Sequence, residues 1–374
     1  MSFLRSERLA ALLLIGAAAL GLIVANTVVG PAVIEFTHVK LGFPGFSLSV
    51  AHWVTDGLLA IFFFLAAIEL KHELVSGELS SVHKAIVPAA AAVGGVAIPA
   101  LLYLAVVHDT KLAIGWPIPT ATDIAFALGV LALVGRGLPS RIRALLLALA
   151  VIDDLIAILI IAIFFTASVQ FLPLLLAVPV VVAFAVLSRA RRHPVVGVLL
   201  VLLGLLAWVL VSLSGIHPTV AGVALGLAMS GRSGGPVRHA LEPLSNGVIL
   251  PIFAFVAALV VLPTTGIENL SPAFWAIIVA LPVGKLIGIT AGATIATAIG
   301  GRKPDAALAF GDLAAVAALG GIGFTVSLLM NQLAWKGNTQ LADEGTLAVI
   351  AASVIAGVIG VVLTSARARN YRRR

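Results

Sequence analysis

The sequence contains no cysteine and few charged residues. The absence of cysteine from all 374 residues excludes disulfide bonds, thiol catalysis and cysteine-ligated iron–sulfur clusters. Charged residues make up 10% and hydrophobic residues 61% of the chain, whereas a soluble domain carries about 25% charged residues. Water is therefore not the main solvent of the folded chain, and an all-α polytopic membrane protein is predicted.

Long apolar runs recur along the whole sequence, separated by short polar links. Each run approaches the roughly 20 residues that a helix needs to cross about 30 Å of hydrocarbon. No link is long enough to form a second, soluble domain, so residues 1–374 are interpreted as one transmembrane domain. The predicted helices lie near 9–29, 57–76, 85–107, 118–136, 142–166, 171–188, 194–213, 215–230, 245–263, 272–299, 307–333 and 346–365.

The first apolar run follows a basic start and therefore resembles a secretory signal peptide. Because Leu9 to Val29 is long enough to span and the chain then keeps crossing, an uncleaved first helix is favoured. The longest link, 30–56, contains Phe43-Pro44-Gly45-Phe46 followed by alternating Ser-Leu-Ser-Val. This link is either a small hairpin or an irregular loop.

The net charge of +7 is explained by membrane orientation. With the N-terminus in the cytoplasm, nearly all lysines and arginines fall in cytoplasmic links. Only Lys40, Lys111 and Lys336 fall on the other side, and Lys285 lies inside an apolar run. The positive-inside rule therefore predicts two cytoplasmic termini and an even number of spans, and no nucleic-acid partner is expected.

A few ionisable residues lie deep in the apolar runs. Each costs about 2.5 to 3.5 kcal/mol on insertion scales and is therefore a functional hypothesis by default. The clearest are Asp123, the adjacent Asp153 and Asp154, and Lys285. Three carboxylates and one amine must share the interior.

Asp153 and Asp154 are candidates for a cation site. Adjacent residues on a helix project about 100° apart, so both carboxylates can edge a cavity without pointing the same way. Carboxylates this close resist joint ionisation and titrate as a unit, so a hard cation such as sodium and protons can compete for them. The alternative is a pair of carboxylates that only serves packing.

Two predicted helices are interrupted. Pro117, Pro119, Thr120 and Thr122 break the one that contains Asp123, and Gly320, Gly321 and Gly323 break a later one. Unwound backbone at membrane depth must be buried in protein or line a cavity. We expect Asp123 to neutralise the positive helix N-termini that point inward and Lys285 the negative C-termini. For the three glycines, close packing of helices remains the alternative.

The sequence resembles the NhaA sodium–proton antiporters of bacterial inner membranes, a family with inverted repeats. The resemblance runs along nearly the whole chain. It rests on Phe62-Phe63-Phe64-Leu65, Glu69-Leu70-Lys71-His72-Glu73-Leu74, Ala121-Thr122-Asp123-Ile124-Ala125-Phe126-Ala127-Leu128-Gly129, Ile152-Asp153-Asp154-Leu155, Ser214-Gly215-Ile216-His217-Pro218-Thr219-Val220-Ala221-Gly222, Gly284-Lys285 and Gly321-Ile322-Gly323-Phe324-Thr325.

This resemblance implies twelve helices, with helices three to five and ten to twelve as inverted repeats and helices four and eleven broken and crossing at mid-membrane. It implies that Asp154 is the principal sodium ligand, that Asp153 exchanges protons and pairs with Lys285, and that Thr122 and Asp123 line the crossing. It further implies electrogenic, pH-regulated exchange of sodium or lithium for a larger number of protons, no cofactor, and a homodimer in many members.

The sequence departs from the family at positions linked to the pH response. The family usually has Lys-Arg-Glu where this chain has Lys71-His72-Glu73, and histidine titrates near neutral pH. Glu69, Glu73 and His217 resemble positions implicated in the response. A neutral, packed His217 is the alternative. The chain also lacks the family's common asparagine in Phe253-Ala254-Phe255-Val256-Ala257-Ala258.

Two other classes of membrane protein use buried polar groups. An intramembrane aspartyl protease needs aspartates on two facing helices and usually Gly-x-Gly-Asp, and the nearest string, Ala309-Phe310-Gly311-Asp312, lacks the first glycine. A proton-coupled carrier of organic solutes would be expected to have an arginine or an aromatic cage in its core, and no arginine lies mid-helix. Both classes are disfavoured, and the protein is not expected to be an enzyme.

Overall fold

The computed structural model describes residues 7–43, 46–77, 79–166, 169–190, 193–262, 270–299 and 308–373. In these ranges the chain is mostly helical, with a two-stranded hairpin as its only sheet. By length and composition, eight helices can cross a membrane, two bent helix pairs form further spans, and two more apolar helices have 10–17 residues. The predicted all-α polytopic fold is confirmed.

The elements follow one another in this order. They are α1 (Glu7–Ala25), α2 (Gly30–His38), β1 (Lys40–Phe43), β2 (Phe46–Ser49), α3 (Val50–Ser76), α4 (Val82–Val106), α5 (Thr110–Ala113), a 3₁₀ turn (Ile118–Thr120), α6 (Ile124–Val134), α7 (Ser140–Phe164), α8 (Phe171–Leu187), α9 (Pro194–Leu213), α10 (Thr219–Ala228), α11 (Gly231–Ala257), α12 (Pro272–Ile299), α13 (Phe310–Gly320), α14 (Phe324–Ala334) and α15 (Thr339–Arg373).

Several helices are longer than their apolar cores. Helix α3 begins at Val50 rather than 57, α11 at Gly231 rather than 245, and α15 covers Thr339–Arg373 rather than 346–365. Hydropathy detects only the apolar part of a helix, so polar helical ends were assigned to links. Asp56, placed in a link by the sequence, is buried in a π-helical turn of α3, Trp53–Leu58.

The predicted fourth helix, 118–136, is helical over a shorter range than expected. Only α6, Ile124–Val134, is α-helical there. Pro117 precedes a 3₁₀ turn, Ile118–Thr120, which contains Pro119, and an extended segment follows before the helix begins. The segment Thr110–Thr120 and α6 meet at 43°, and α13 meets α14 at 48°. Both predicted helix breaks are confirmed, one between Thr120 and Ile124 and the other between Gly320 and Phe324.

The link after the first helix contains the hairpin that the sequence left open. Strand β1 pairs antiparallel with β2, with Lys40 opposite Ser49 and Phe43 opposite Phe46. The predicted turn residues Pro44 and Gly45 lie outside the described residues. Helix α2 precedes the hairpin, so the link is more regular than expected.

Small residues bring the central helices together. A Cβ added to Gly94 of α4 would overlap the backbone oxygen of Gly288 in α12, and one added to Gly288 would overlap that of Gly94. Helices α3 and α10 meet in the same way, at Ala60 and Gly222. Close backbone approach through glycine is typical of membrane helices. This packing brings Lys285 of α12 into the core.

Candidate functional site

The two broken spans hold each other at their breaks. The backbone N–H of Asp123 donates to the carbonyl oxygen of Ile322 at 2.6 Å. The hydroxyl of Thr122 donates to the carbonyl oxygen of Gly320, also at 2.6 Å. Backbone groups without a helical partner must be satisfied inside the protein at membrane depth. These two bonds satisfy groups of both broken spans, so the breaks form one junction.

Asp123 caps both half-helices that start at this junction. Its Oδ1 accepts from the N–H of Phe126 in α6 at 2.9 Å. Its Oδ2 accepts from the N–H of Thr325 at 3.1 Å and from the Thr325 hydroxyl at 2.6 Å, both in α14. One buried carboxylate therefore lies at two helix N-termini, where a negative charge is stabilised.

The three glycines of the second break allow close contact. A Cβ on Gly323 would overlap the Ser327 hydroxyl and lie 3.0 Å from the Ala121 carbonyl oxygen. One on Gly320 would lie 2.7 Å from Cδ1 of Ile289, and one on Gly321 would lie 3.2 Å from the Ala318 carbonyl oxygen. All three have a negative φ. Their small size, rather than a left-handed backbone, permits the junction.

Lys285 and Asp153 form a buried ion pair. Nζ of Lys285 donates to Oδ1 of Asp153 at 2.9 Å and to Oδ2 at 2.8 Å. The two side chains are 0% and 2% exposed. Lys285 directly follows a π-helical turn, Ala280–Gly284, and the glycine of this turn packs on Pro99 of α4. Both hydrogen bonds of the ammonium go to Asp153, so a carboxylate rather than a helix C-terminus compensates its charge.

Asp154 differs from its neighbour, because its Oδ1 is buried without a hydrogen-bond partner. The side chain lines a cavity of about 300 Å³, whose walls come from α1, α3, α6, α7 and α11. Arg143, Arg238 and Glu242 also line this cavity. The aspartates diverge as expected for adjacent helical residues: Asp153 faces α12, whereas Asp154 faces the cavity.

The residues predicted to respond to pH do not form one cluster. Glu69 lines the cavity and pairs with Arg238 of α11. Glu73 is buried and His72 is exposed on the same helix, and neither lines that cavity. His217 lies elsewhere, with Nδ1 2.7 Å from the Thr219 hydroxyl and Nε2 3.4 Å from Oδ1 of Asp56.

Three polar residues with defined partners or surroundings in the structure were not identified from the sequence. Arg238 was assigned to a link, although it is helical and pairs with Glu69. Ser245 lines the cavity with Asp154. Asp312 is fully buried, with Oδ1 accepting from Nε of Arg367 at 2.8 Å and Oδ2 from the Tyr371 hydroxyl at 2.7 Å. An acidic residue inside an apolar run was a usable signal for Asp312.

Comparison with known proteins places the chain in a family. Residues 1–364 match the family model described as Na⁺/H⁺ antiporter 1. The Na⁺/H⁺ antiporter NhaA 2 of Clavibacter michiganensis subsp. michiganensis is 55% identical, over 100% of this chain and 93% of its own length. The Na⁺/H⁺ antiporters NhaA of Tropheryma whipplei and of Arthrobacter sp. are 45% and 43% identical over 97% and 99% of this chain and 94% and 86% of their own lengths.

These relatives match the chain from end to end, as the resemblance in its motifs does. The crossed, broken spans and the buried acidic and basic groups lie within the matched range. The chain therefore belongs to the Na⁺/H⁺ antiporter 1 family, the NhaA antiporters.

Proposed function

We propose that the protein exports Na⁺ across the bacterial inner membrane in exchange for a larger number of H⁺, at a site formed by Asp153 and Asp154. The observation that carries this proposal is the contrast between the two neighbours. Asp153 is held by Lys285, while Asp154 presents an unpartnered oxygen beside a cavity. A buried, unfilled carboxylate oxygen is a ligand for a hard cation or a proton.

Exchange follows if both substrates use the same carboxylates. Asp154 is the principal sodium ligand, and Asp153 and Thr122 contribute further oxygens. When sodium binds, Asp153 turns from Lys285 to the ion and protons leave the site. When protons return, one occupies Asp154 and another occupies Lys285, whose ammonium pairs with the ionised Asp153 again. The sodium ion and the protons exclude each other electrostatically in a low-dielectric site. Movement of sodium without protons, or of protons without sodium, is therefore disfavoured.

Asp123 and Lys285 compensate other buried charges when no sodium ion is bound. Asp123 offsets the N-termini of α6 and α14 by its bonds to Phe126 and Thr325. Lys285 offsets the charge of Asp153. A sodium ion then meets one uncompensated carboxylate, that of Asp154. The exchange is electrogenic and is driven by the proton gradient, because more protons enter than sodium ions leave.

The finer features of this function follow the resemblance to the family. Li⁺ is carried as well as Na⁺, activity is regulated by pH, and the protein is a homodimer with both termini in the cytoplasm. The Glu69–Arg238 pair supports a regulatory role for Glu69, because it joins α3 to α11 at the cavity that leads to Asp154. His72, Glu73 and His217 are the other candidates for the pH response.

The experiment is sodium-triggered proton movement in proteoliposomes that contain a pH dye, scanned over pH. We expect a sodium-dependent signal for the parent protein and none for Asp154→Asn. The matched control is Asp343→Asn, the same change at a half-buried residue of α15, which should leave the signal in place.

Charge movement on solid-supported membranes tests electrogenicity. Normal exchange by Asp154→Asn would overturn the site assignment, and a parent protein without a sodium response would overturn the function.

A further inference from the structure

The cavity beside Asp154 contains a second buried oxygen without a partner, the hydroxyl of Ser245. This side chain belongs to α11 and is 1% exposed, and its Oγ has no hydrogen bond. It lines the same cavity as Asp154, whose Oδ1 also lacks a partner. A buried hydroxyl without a partner is costly, and a cation or a water molecule bound in the cavity would satisfy this one.

Several other hydroxyls in the helices of this protein, or directly after them, satisfy themselves. Five of them donate to a carbonyl one turn earlier at 2.7 or 2.8 Å: Thr166, Ser188, Ser214, Thr294 and Thr297. This is the usual solution for serine and threonine in a helix. The Ser245 hydroxyl makes no such bond to a carbonyl of its own helix. The backbone N–H of Ser245 does, since it donates to the carbonyl oxygens of Leu241 and Glu242.

The local helix geometry explains the exception. Ser245 starts a π-helical turn, Ser245–Ile249, two residues after Pro243. Single π turns inside α-helices change the direction of side chains and are frequent at functional sites. Three other hydroxyls in the described chain are buried without a partner, Thr290, Ser327 and Thr364. None of the three lines this cavity.

The two unpartnered oxygens come from different helices, α7 and α11, and share one space. The cavity volume of about 300 Å³ compares with about 30 Å³ for one water molecule in the liquid, so a partly hydrated ion fits. Glu69 is already paired with Arg238. Asp154 is therefore the lining carboxylate with a buried oxygen that neither a hydrogen bond nor an ion pair holds, and its charge attracts a cation to that side of the cavity.

We propose that Ser245 and Asp154 together form the inward sodium subsite, in which the Ser245 hydroxyl supplies a neutral oxygen to the ion directly or through one water. This inference rests on the proposed function. A neutral oxygen replaces one hydration water without adding charge, so it raises the affinity for sodium and leaves the number of exchanged protons unchanged. Ser245 determines sodium affinity, whereas Asp154 is required for exchange.

The first test compares sodium dependence in proteoliposomes for the parent, Ser245→Ala and Ser245→Thr. We expect Ser245→Ala to raise the KM for sodium about three- to tenfold, the effect of one lost polar ligand of hydrogen-bond strength, while the maximal rate stays close to that of the parent. Ser245→Thr keeps the hydroxyl and should restore the KM. The control is Thr364→Val, which removes another buried, unpartnered hydroxyl and should leave the KM unchanged.

The outcomes separate this inference from the proposed function. An unchanged KM in Ser245→Ala, an equal rise in Thr364→Val, or failure of Ser245→Thr to restore the KM would each overturn it. If the parent exchanges sodium and Asp154→Asn does not, the proposed function holds even when the Ser245 variants match the parent. A parent protein without sodium-dependent exchange overturns both.

A second measurement does not depend on transport. The chain has no cysteine, so Ser245→Cys introduces its only thiol. We expect sodium, but not choline at the same concentration, to slow modification of that thiol by a water-soluble reagent several-fold in purified protein. Adding Asp154→Asn should remove this protection. Equal modification rates with sodium and choline would overturn the subsite.

Discussion

Asp153 in the middle of α7 and Asp312 in the first turn of α13 are both buried carboxylates, one paired with a lysine and the other with an arginine. Lys285 holds both oxygens of Asp153. Arg367 and Tyr371 hold one oxygen each of Asp312. The difference lies beside them: Asp153 is followed by Asp154, whose Oδ1 is unpartnered at a cavity, whereas Asp312 does not line that cavity.

Burial and ion pairing therefore do not by themselves identify a transport site. Both carboxylates are almost fully buried, and both cost desolvation that the partner offsets. An oxygen left without a partner distinguishes the Asp153–Asp154 pair, because an ion can bind only where a ligand is unfilled. We expect the region around Asp312 to be structural, joining α13 to the end of α15.

The largest expected difference between the two regions is in sodium binding. Asp154→Asn should abolish the heat of sodium binding to purified protein in detergent, since it removes the charged ligand from a low-dielectric site. Asp312→Asn should bind sodium with the affinity of the parent, although it unfolds at a lower temperature. Calorimetric titration of both variants measures this. Loss of binding in a folded Asp312→Asn protein would remove the distinction.

We expect the site at Asp153 and Asp154 to select sodium over potassium. We expect potassium to be transported poorly or not at all, because the family resemblance is to a sodium and lithium carrier. Proteoliposomes loaded with a pH dye should respond to sodium and lithium and not to potassium, with choline as the control cation. Potassium responses equal to those of sodium would contradict this prediction.

The Lys285–Asp153 pair should be strongly coupled in stability. Breaking a buried pair typically costs about 3 to 5 kcal/mol, whereas replacing the whole pair can be neutral. Lys285→Gln should therefore destabilise the protein more than Lys285→Gln combined with Asp153→Asn. Thermal unfolding in detergent of both single variants and the double variant gives the coupling free energy. Additive losses would show that the two residues act independently.

The smallest expected effect is at the periphery of the Asp312 region. Tyr371→Phe removes one hydrogen bond to Asp312, and the Arg367 side chain, which is 23% exposed, keeps the other. We expect a loss of about 1 to 3 kcal/mol in stability, the cost of one missing hydrogen bond to a buried charged group. The KM for sodium should match that of the parent. A several-fold change in KM would assign this region a part in transport.

The predictions from sequence succeeded where a local physical rule was sufficient. Apolar runs of membrane length gave the all-α fold, and Pro117, Pro119 and the glycines at 320, 321 and 323 gave both breaks. The starts of α11 at Gly231 and of α15 at Thr339 were missed, because hydropathy does not detect the polar end of a helix.

Four residues are identified as exceptional from the sequence alone, since a charge in an apolar helix is costly and requires a function or a partner: Asp123, Asp153, Asp154 and Lys285. Their partners depend on how the helices pack. A hydropathy pattern does not distinguish two adjacent aspartates. The packing of α7 and α12 around α4 places Lys285 beside Asp153 and places Asp154 at the cavity. The pairing of Glu69 with Arg238 and the unpartnered Ser245 hydroxyl depend in the same way on contacts between helices distant in the chain, which no periodicity in one helix encodes.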